Sequence, residues 1–190
     1  MAIDRKWAII EAATASFASF GYKATTIDQV AKMANVGKGT IYTFFKNKEE
    51  LLDEIVTRLI SEMKEAAEAA IREDDTFIEN VLRALSSILT FRKDHKLAWK
   101  LFQEDRDIGT PAVQEVLLKM DRAILSFIRY HLELAIQKGE IRECDPEITA
   151  FVMRRLYIAL ISDWEQHHEP LGEKQIAELF ELYLLKGLSK

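Results

Sequence analysis

Residues that break helices or cross-link chains are scarce in this sequence. Its 190 residues include seven glycines, three prolines and one cysteine. So few breakers, with frequent alanine, leucine, isoleucine, glutamate and lysine, favour a mostly helical protein. The single cysteine, Cys144, excludes an internal disulfide, and no cysteine cluster is present to hold zinc. Its neighbours Glu143 and Asp145 disfavour a reactive thiolate, so we do not expect a redox sensor.

Long apolar runs are also missing. No run approaches the length of about 18 residues that a membrane-spanning helix needs. Glu11 interrupts the apolar stretch behind the first basic residues, so we expect no secretory signal peptide. With one cysteine and no such segment, the expected location is the reducing cytoplasm.

Catalytic signatures are absent as well. The sequence contains no nucleophile elbow, no glycine loop that could cradle phosphate and no spaced set of metal ligands. His167 and His168 are adjacent, and adjacent side chains on a helix do not face the same way. We therefore expect a protein that is not an enzyme and that holds no metal and no cofactor.

The charge is distributed unevenly along the chain. The net charge is −5, which taken as an average argues against nucleic-acid binding. Up to Lys48, however, seven basic residues stand against three acidic ones, a net charge of +4 that leaves −9 for the remainder. A small basic head on an acidic body indicates that the head is the part that meets DNA.

Apolar periodicity and breakers predict an all-α fold of about nine helices. The N-terminal helix-turn-helix head, a three-helix DNA-binding domain, is expected over residues 1–48. The helical effector-binding and dimerisation domain is expected over 49–190. Within the head, the first helix is predicted over 4–20, the second is predicted to begin at residues 25–26, and the third is predicted over 38–45. A fourth helix is predicted from residue 47 to about 72, followed by helices at 76–94, 95–106, 111–137, 145–165 and 173–188.

Local signals in the head support this assignment. Helix one has an apolar face of Ile10, Ala13, Phe17 and Phe20, and Gly21 follows it as a stop signal. The second helix begins with a capping-box spacing of threonine and glutamine at positions 26 and 29. A three-residue turn, Asn-Val-Gly at 35–37, then leads into the third helix. The fourth begins after an asparagine at 47 that is suited to capping.

The third helix is short and amphipathic. Ile41 and Phe45 are spaced to point inward, which leaves small and polar residues on the opposite side. Lys38 can reach a guanine edge in the major groove, and Gly39 lets the backbone approach DNA closely. Hydroxyls and lysines nearby are suited to phosphate oxygens. The predicted DNA-binding residues are Thr25, Thr26, Lys38, Gly39, Thr40, Tyr42, Thr43, Lys46 and Lys48.

The stretch from residue 10 to 52 resembles the DNA-binding domain of the TetR family of bacterial repressors. Its most specific run is VGKGTIYTFFKNKEEL at 36–51. The resemblance implies that the side chains at 26, 42 and 48 contact phosphates and that those at 38, 39 and 43 lie near base edges. Two positions depart from the family pattern. Asn35 replaces the usual glycine, although asparagine tolerates a left-handed turn. Phe44 replaces a histidine or tyrosine and cannot hydrogen-bond a phosphate.

The resemblance further implies a homodimer that binds a double-stranded operator and a small-molecule effector. The expected dimer stripe in the last helix is Ile176, Leu179, Phe180, Tyr183 and Leu184. Candidate walls of an effector pocket are Trp99, Phe102, Gln103, Phe127, Phe151, Arg154, Tyr157 and Trp164. An architectural DNA-binding protein of the same fold, with no effector, remains the alternative.

Overall fold

The computed structural model describes residues 4–189, and this part of the chain is helical without strands. The all-α prediction with about nine helices is confirmed. The helices are α1 Arg5–Phe20, α2 Ile27–Met33, α3 Lys38–Phe44, α4 Lys48–Ala70, α5 Phe77–Asp94, α6 Lys96–Ile108, α7 Pro111–Gln137, α8 Pro146–Ile158 and α9 Glu173–Phe180. None of them, within the described residues, is both long and apolar enough to cross a bilayer.

Local sequence signals set most helix ends. Asp4 caps α1 by accepting from the backbone N–H groups of Lys6 and Trp7. Gly21 ends α1, as predicted. Gly109 ends α6 in the left-handed conformation, with φ of 67°, which glycine adopts without a steric penalty. Asp145 caps α8, whose first residue is a proline already restricted to a helical φ.

Helices α8 and α9 do not continue as the regular helices that periodicity predicts. Each runs into a π-helical turn, Ala159–Asp163 and Glu181–Leu185 respectively. A π-turn inserts one extra residue and rotates the side chains that follow it. After Phe180 the next inward residue is therefore Leu185, which is fully buried, rather than Leu184. The insertion leaves no trace in the apolar pattern.

The chain divides into two compact units. The first consists of residues 4–62 with 92–120, and the second of 63–91 with 121–189. In the first unit α6 packs along α1, and the core includes Ile9, Phe17 and Leu101. The predicted apolar face of α1 is correct for its first three members. It is wrong for Phe20, which is exposed in the last turn of the helix.

The second unit has two hydrophobic clusters. One is built around Leu132 and Leu185, and Phe77 packs into it from α5. The other joins Ile161, which follows α8, to Ile176 and Phe180 of α9. Helices α8 and α9 therefore contribute to the core of the single chain.

Candidate nucleic-acid interface

The turn between α2 and α3 forms as predicted. Asn35 has a φ of 51°, the one positive φ among the described non-glycine residues. Asparagine tolerates this left-handed conformation better than most residues, so the turn survives without a glycine there. The backbone N–H of Val36 donates to the carbonyl of Ala31 over 3.0 Å, which closes the turn. The chain then enters α3 with Gly37 at the N-cap.

Helix α3 has the inward and outward sides that its spacing predicts. Ile41 and Phe45 are buried, so the helix is fixed to the head through its apolar side. The exposed residues of α3, together with Lys46 in the turn that follows it, form what we call the recognition face. It consists of Lys38, Gly39, Tyr42, Thr43, Phe44 and Lys46.

The recognition face combines donors with open space. Tyr42 is 48% exposed. A Cβ at Gly39 would meet no atom within 4 Å, so nothing in the protein prevents close approach there. The hydroxyl of Thr43 donates to the carbonyl of Thr40 over 2.7 Å and would exchange this bond to donate to a phosphate. Phe44 is exposed and adds apolar surface, so this side chain can contact a thymine methyl but not bond a phosphate.

The start of α2 is held by the predicted capping box. The hydroxyl of Thr26 accepts from the backbone N–H of Gln29, and the Gln29 side chain accepts from the backbone N–H of Thr26. Thr26 is exposed, so its position beside the N-terminus of α2 suits a phosphate.

Thr25 requires a correction. Its side chain is 1% exposed, and its hydroxyl donates to the carbonyl of Gly21 over 2.9 Å. The same oxygen lies 3.0 Å from the hydroxyl of Ser16. A side chain buried and bonded in this way cannot reach DNA, so Thr25 is a structural residue of the α1–α2 turn. Sequence position next to Thr26 does not distinguish the two threonines.

Lys48 is tied to the same turn. Its ammonium donates to the carbonyls of Tyr22 and Thr25, each over 2.9 Å, and lies 4.2 Å from the centre of the Tyr22 ring. Burial lowers the pKa of Lys48 below its ordinary value. Two of the three ammonium protons are used by these bonds, which leaves one for a phosphate oxygen.

A buried carboxylate completes the turn. Glu104 of α6 is 6% exposed. One of its oxygens accepts from the backbone N–H of Lys23 and from the hydroxyl of Thr110, both over 3.0 Å. A Cβ at Gly21 would lie 2.8 Å from the other oxygen, so the carboxylate needs a glycine there. We call Gly21, Tyr22, Thr25, Lys48 and Glu104 the anchor cluster.

Sequence reasoning missed two residues at this interface. Glu104 lies 81 residues from its partner Lys23, beyond any local spacing rule. Asp28 lies in the first turn of α2, and its carboxylate accepts from the Lys38 ammonium over 2.8 Å. The signal that could have identified Asp28 is that it is an acidic residue within a basic segment. The bond with Asp28 holds the pKa of Lys38 above its ordinary value.

The structure separates the predicted pocket residues. Trp99, Phe102 and Gln103 belong to the first unit, whereas the other five belong to the second. Phe151 and Trp164 lie on the surface, Phe151 with Arg155 over its ring and Trp164 stacked on His168 at 3.9 Å. Their assignment as pocket walls stays a prediction.

Arg154 is the buried member of the predicted pocket set. Its side chain lies 3.2 Å from the carboxylate of Asp121, and burial lowers the pKa of the guanidinium. Phe127 is half-buried on α7, and its ring centre lies 4.5 Å from that of His131. The pocket role of Phe127, Arg154 and Tyr157 stays a prediction.

The predicted dimer stripe is divided by the π-turn. Ile176 and Phe180 are buried in the chain's own core, which is a correction, because a residue enclosed within one chain offers no surface to a partner. Leu179 and Leu184 are half-buried. Tyr183 is 69% exposed, and its role at a dimer interface stays a prediction.

Comparisons with known proteins agree with this geometry. The family model described as bacterial regulatory proteins, tetR family, matches residues 9–55. The chain is 63% identical over 189 residues to YhgD of Bacillus subtilis (strain 168), which is named as an HTH-type transcriptional regulator, and the match covers 100% of this chain and 99% of that protein. It is 34% identical over 138 residues to the fatty acid metabolism regulator protein of the same organism, covering 71% and 70% of the two chains.

A solved structure extends the likeness to the whole fold. The transcriptional regulator FadR from Bacillus subtilis, in complex with stearoyl-CoA, superposes with a TM-score of 0.77 at 26% identity. The superposition covers 96% of this chain and 98% of FadR. The exposed recognition helix, the matched head and the full-length relative lead to one conclusion: the chain belongs to the TetR family of bacterial transcriptional regulators.

Proposed function

We propose that the protein is a repressor that binds a palindromic operator in double-stranded DNA as a homodimer and is released by a small-molecule effector. The observation that carries the proposal is the recognition face. It gathers two lysines, two hydroxyls and an unobstructed glycine on the exposed residues of a short helix and the turn that follows it. Such a helix fits the major groove, where phosphate contacts fix its register and base contacts give specificity.

A second copy is needed for useful specificity. A helix of seven residues, Lys38–Phe44, reads few base pairs, and two copies can read half-sites one helical turn or more apart. The second unit offers a surface for this pairing. Ile148, Phe151 and Val152 are exposed at helical spacing on α8, and Leu182 and Tyr183 are exposed after α9. Apolar patches of this kind are typical of protein interfaces.

Acyl-CoA thioesters are the effector class that we propose. FadR, the relative solved with stearoyl-CoA, supports this choice, as does the similarity to the fatty acid metabolism regulator. Phe127, Arg154 and Tyr157 of the second unit are the proposed contacts. Within the first unit, Glu104 links α6 to the α1–α2 turn, so a shift of α6 would move this turn with it.

DNA binding is tested with duplexes from the region upstream of the protein's own gene. We expect wild-type protein to bind one of them tightly in fluorescence anisotropy. Replacing Tyr42 with alanine should weaken binding about tenfold or more on every duplex, because a hydroxyl bond to a charged phosphate is lost. Tyr130→Ala, an exposed tyrosine of the second unit, is the matched control and should bind like wild type. Equal binding by Tyr42→Ala and wild type would contradict the assignment of the recognition face.

Effector release is tested on the same complex. Stearoyl-CoA should displace the duplex at concentrations where free coenzyme A does not. Displacement by both compounds, or by neither, contradicts the acyl-CoA proposal and leaves DNA binding intact. If the protein binds DNA and no ligand recovered from its own host displaces the duplex, the alternative is favoured, namely an architectural DNA-binding protein without an effector.

A further inference from the structure

Asp28 places a negative charge beside the recognition face. Its carboxylate accepts from the Lys38 ammonium over 2.8 Å, and both side chains are at least half exposed. Exposed ion pairs contribute little to stability. The importance of this pair therefore lies in where it puts charge, because Lys38 is the one lysine of α3.

The pair changes what Lys38 offers to DNA. Sequence-independent binding arises when free lysines and arginines displace counterions from phosphates. A lysine already neutralised by a carboxylate releases few of them. When Lys38 contacts DNA, the Asp28 carboxylate is brought close to a polyanion.

One base pair can compensate both groups at once. Guanine presents O6 and N7 as acceptors in the major groove, and its partner cytosine presents the N4 amino group as a donor. A lysine suits the first edge and a carboxylate suits the second. Asp28 and Lys38 are within bonding distance of each other, so the two side chains can approach the two edges of one base pair together.

We propose that Asp28 is a specificity-determining residue of the DNA interface: its carboxylate withholds Lys38 from phosphates and accepts from a cytosine amino group when Lys38 binds guanine. The inference rests on the proposed operator binding. It makes Asp28 a residue that weakens binding to most sequences and strengthens the preference for a few.

The test compares Asp28→Asn with a matched control, Asp53→Asn. Asp53 also accepts from a lysine, Lys119, over 2.6 Å, and is similarly exposed, but it lies on α4 rather than at the recognition face. Both substitutions remove one negative charge from the protein. Binding to a mixed-sequence duplex is measured over a series of salt concentrations. Preferred sites are selected in parallel from a random duplex library.

We expect Asp28→Asn to bind the mixed duplex more tightly at low salt. Its plot of log affinity against log salt should be steeper by about 0.9 per bound head, since one more lysine meets phosphate. The ratio of selected-site to mixed-duplex affinity should fall about tenfold, and a C·G preference should be lost from the selected sites. In a Lys38→Gln background the same substitution should no longer steepen the plot.

Three outcomes would overturn the inference. Equal effects of Asp28→Asn and Asp53→Asn would show that net charge alone acts. Unchanged selected sites in Asp28→Asn would show that the carboxylate reads no base. If wild-type protein binds neither the mixed nor the selected duplexes, both the proposed function and this inference are wrong. If wild-type protein binds DNA and either of the first two outcomes is observed, this inference alone is wrong.

Discussion

Lys38 and Lys48 lie ten residues apart in the same head, yet their surroundings are opposite. Lys38 is exposed on the recognition face, and its partner Asp28 raises its pKa. Lys48 is partly buried in the anchor cluster, where burial lowers its pKa and backbone carbonyls accept its protons. We propose that the first ammonium exchanges partners with DNA, whereas the second holds the α1–α2 turn together.

The same contrast holds for the tyrosines and threonines of the two regions. Tyr22 is 3% exposed and donates to Glu49, whereas Tyr42 is open to solvent. Thr25 is bonded within the turn, whereas Thr26 caps α2 at the surface. Residue type is therefore a poor guide to function in this head, and burial separates the residues that hold the fold from those that can meet DNA.

Substitution of the glycines should give the largest difference in the free energy of unfolding between the anchor cluster and the recognition face. Gly21 has a φ of 90° and a ψ of 159°, a conformation that is essentially restricted to glycine. Gly21→Ala should lower the free energy of unfolding by about 2–4 kcal/mol, because strain adds to displacement of the Glu104 carboxylate. Gly39→Ala should raise it, by up to about 1 kcal/mol, through better helix propensity. Urea unfolding measures both.

In DNA binding we expect Gly39→Ala, the more stable of the two variants, to be impaired. Gly39→Ala should fold normally and yet bind DNA more weakly, because the added methyl occupies the space that the duplex needs. Equal stability of the two variants would refute the distinction between the recognition face and the anchor cluster. Unimpaired DNA binding by Gly39→Ala would show that the backbone does not approach closely there.

The lysines should show a smaller difference, which involves both the free energy of unfolding and the salt slope of DNA binding. Lys48→Met removes two bonds from a charged donor and should lower the free energy of unfolding by about 1–2 kcal/mol. It should also reduce the salt slope of DNA binding by about 1 per head. The control is Lys46→Met, an exposed lysine of the recognition face, which should reduce the salt slope without changing stability. A Lys48→Met protein as stable as wild type would contradict the structural role.

The tyrosines should give the smallest effect, visible mainly at alkaline pH. Burial, followed by the bond to Glu49, raises the pKa of Tyr22 above its ordinary value of 10.0. Below about pH 10 the phenol is neutral in both states, and its stabilising contribution is fully present. Above pH 10 the unfolded chain loses the proton first, so stability falls as pH rises towards the folded pKa.

Substitution isolates this contribution. Tyr22→Phe should cost about 1 kcal/mol at pH 7 through the lost hydrogen bond, and its stability should then decline less steeply above pH 10 than that of wild type. Tyr42→Phe, at an exposed tyrosine, should have the wild-type free energy of unfolding at pH 7. Thermal unfolding at a series of pH values tests both, and parallel curves for Tyr22→Phe and wild type would rule out a raised pKa for Tyr22.

Much of the recognition face could be predicted because its determinants are local. The capping box at Thr26, the left-handed turn at Asn35 and the inward pair Ile41 and Phe45 each depend on residues within four positions of one another. The π-turn before Leu185 could not be predicted, because the apolar pattern is compatible with an uninterrupted helix. The predicted stripe of the last helix is interrupted after Phe180 for this reason.

The sequence by itself determined that this is an all-helical protein with a basic helix-turn-helix at its N-terminus, since helix periodicity, caps and breakers act between near neighbours. Only the tertiary structure decided which of its threonines, tyrosines and lysines are free to meet DNA. Glu104 reaches the Lys23 backbone from 81 residues away, and Asp28 reaches Lys38 from a separate helix. Contacts of this kind depend on packing between helices, which no spacing along the chain encodes.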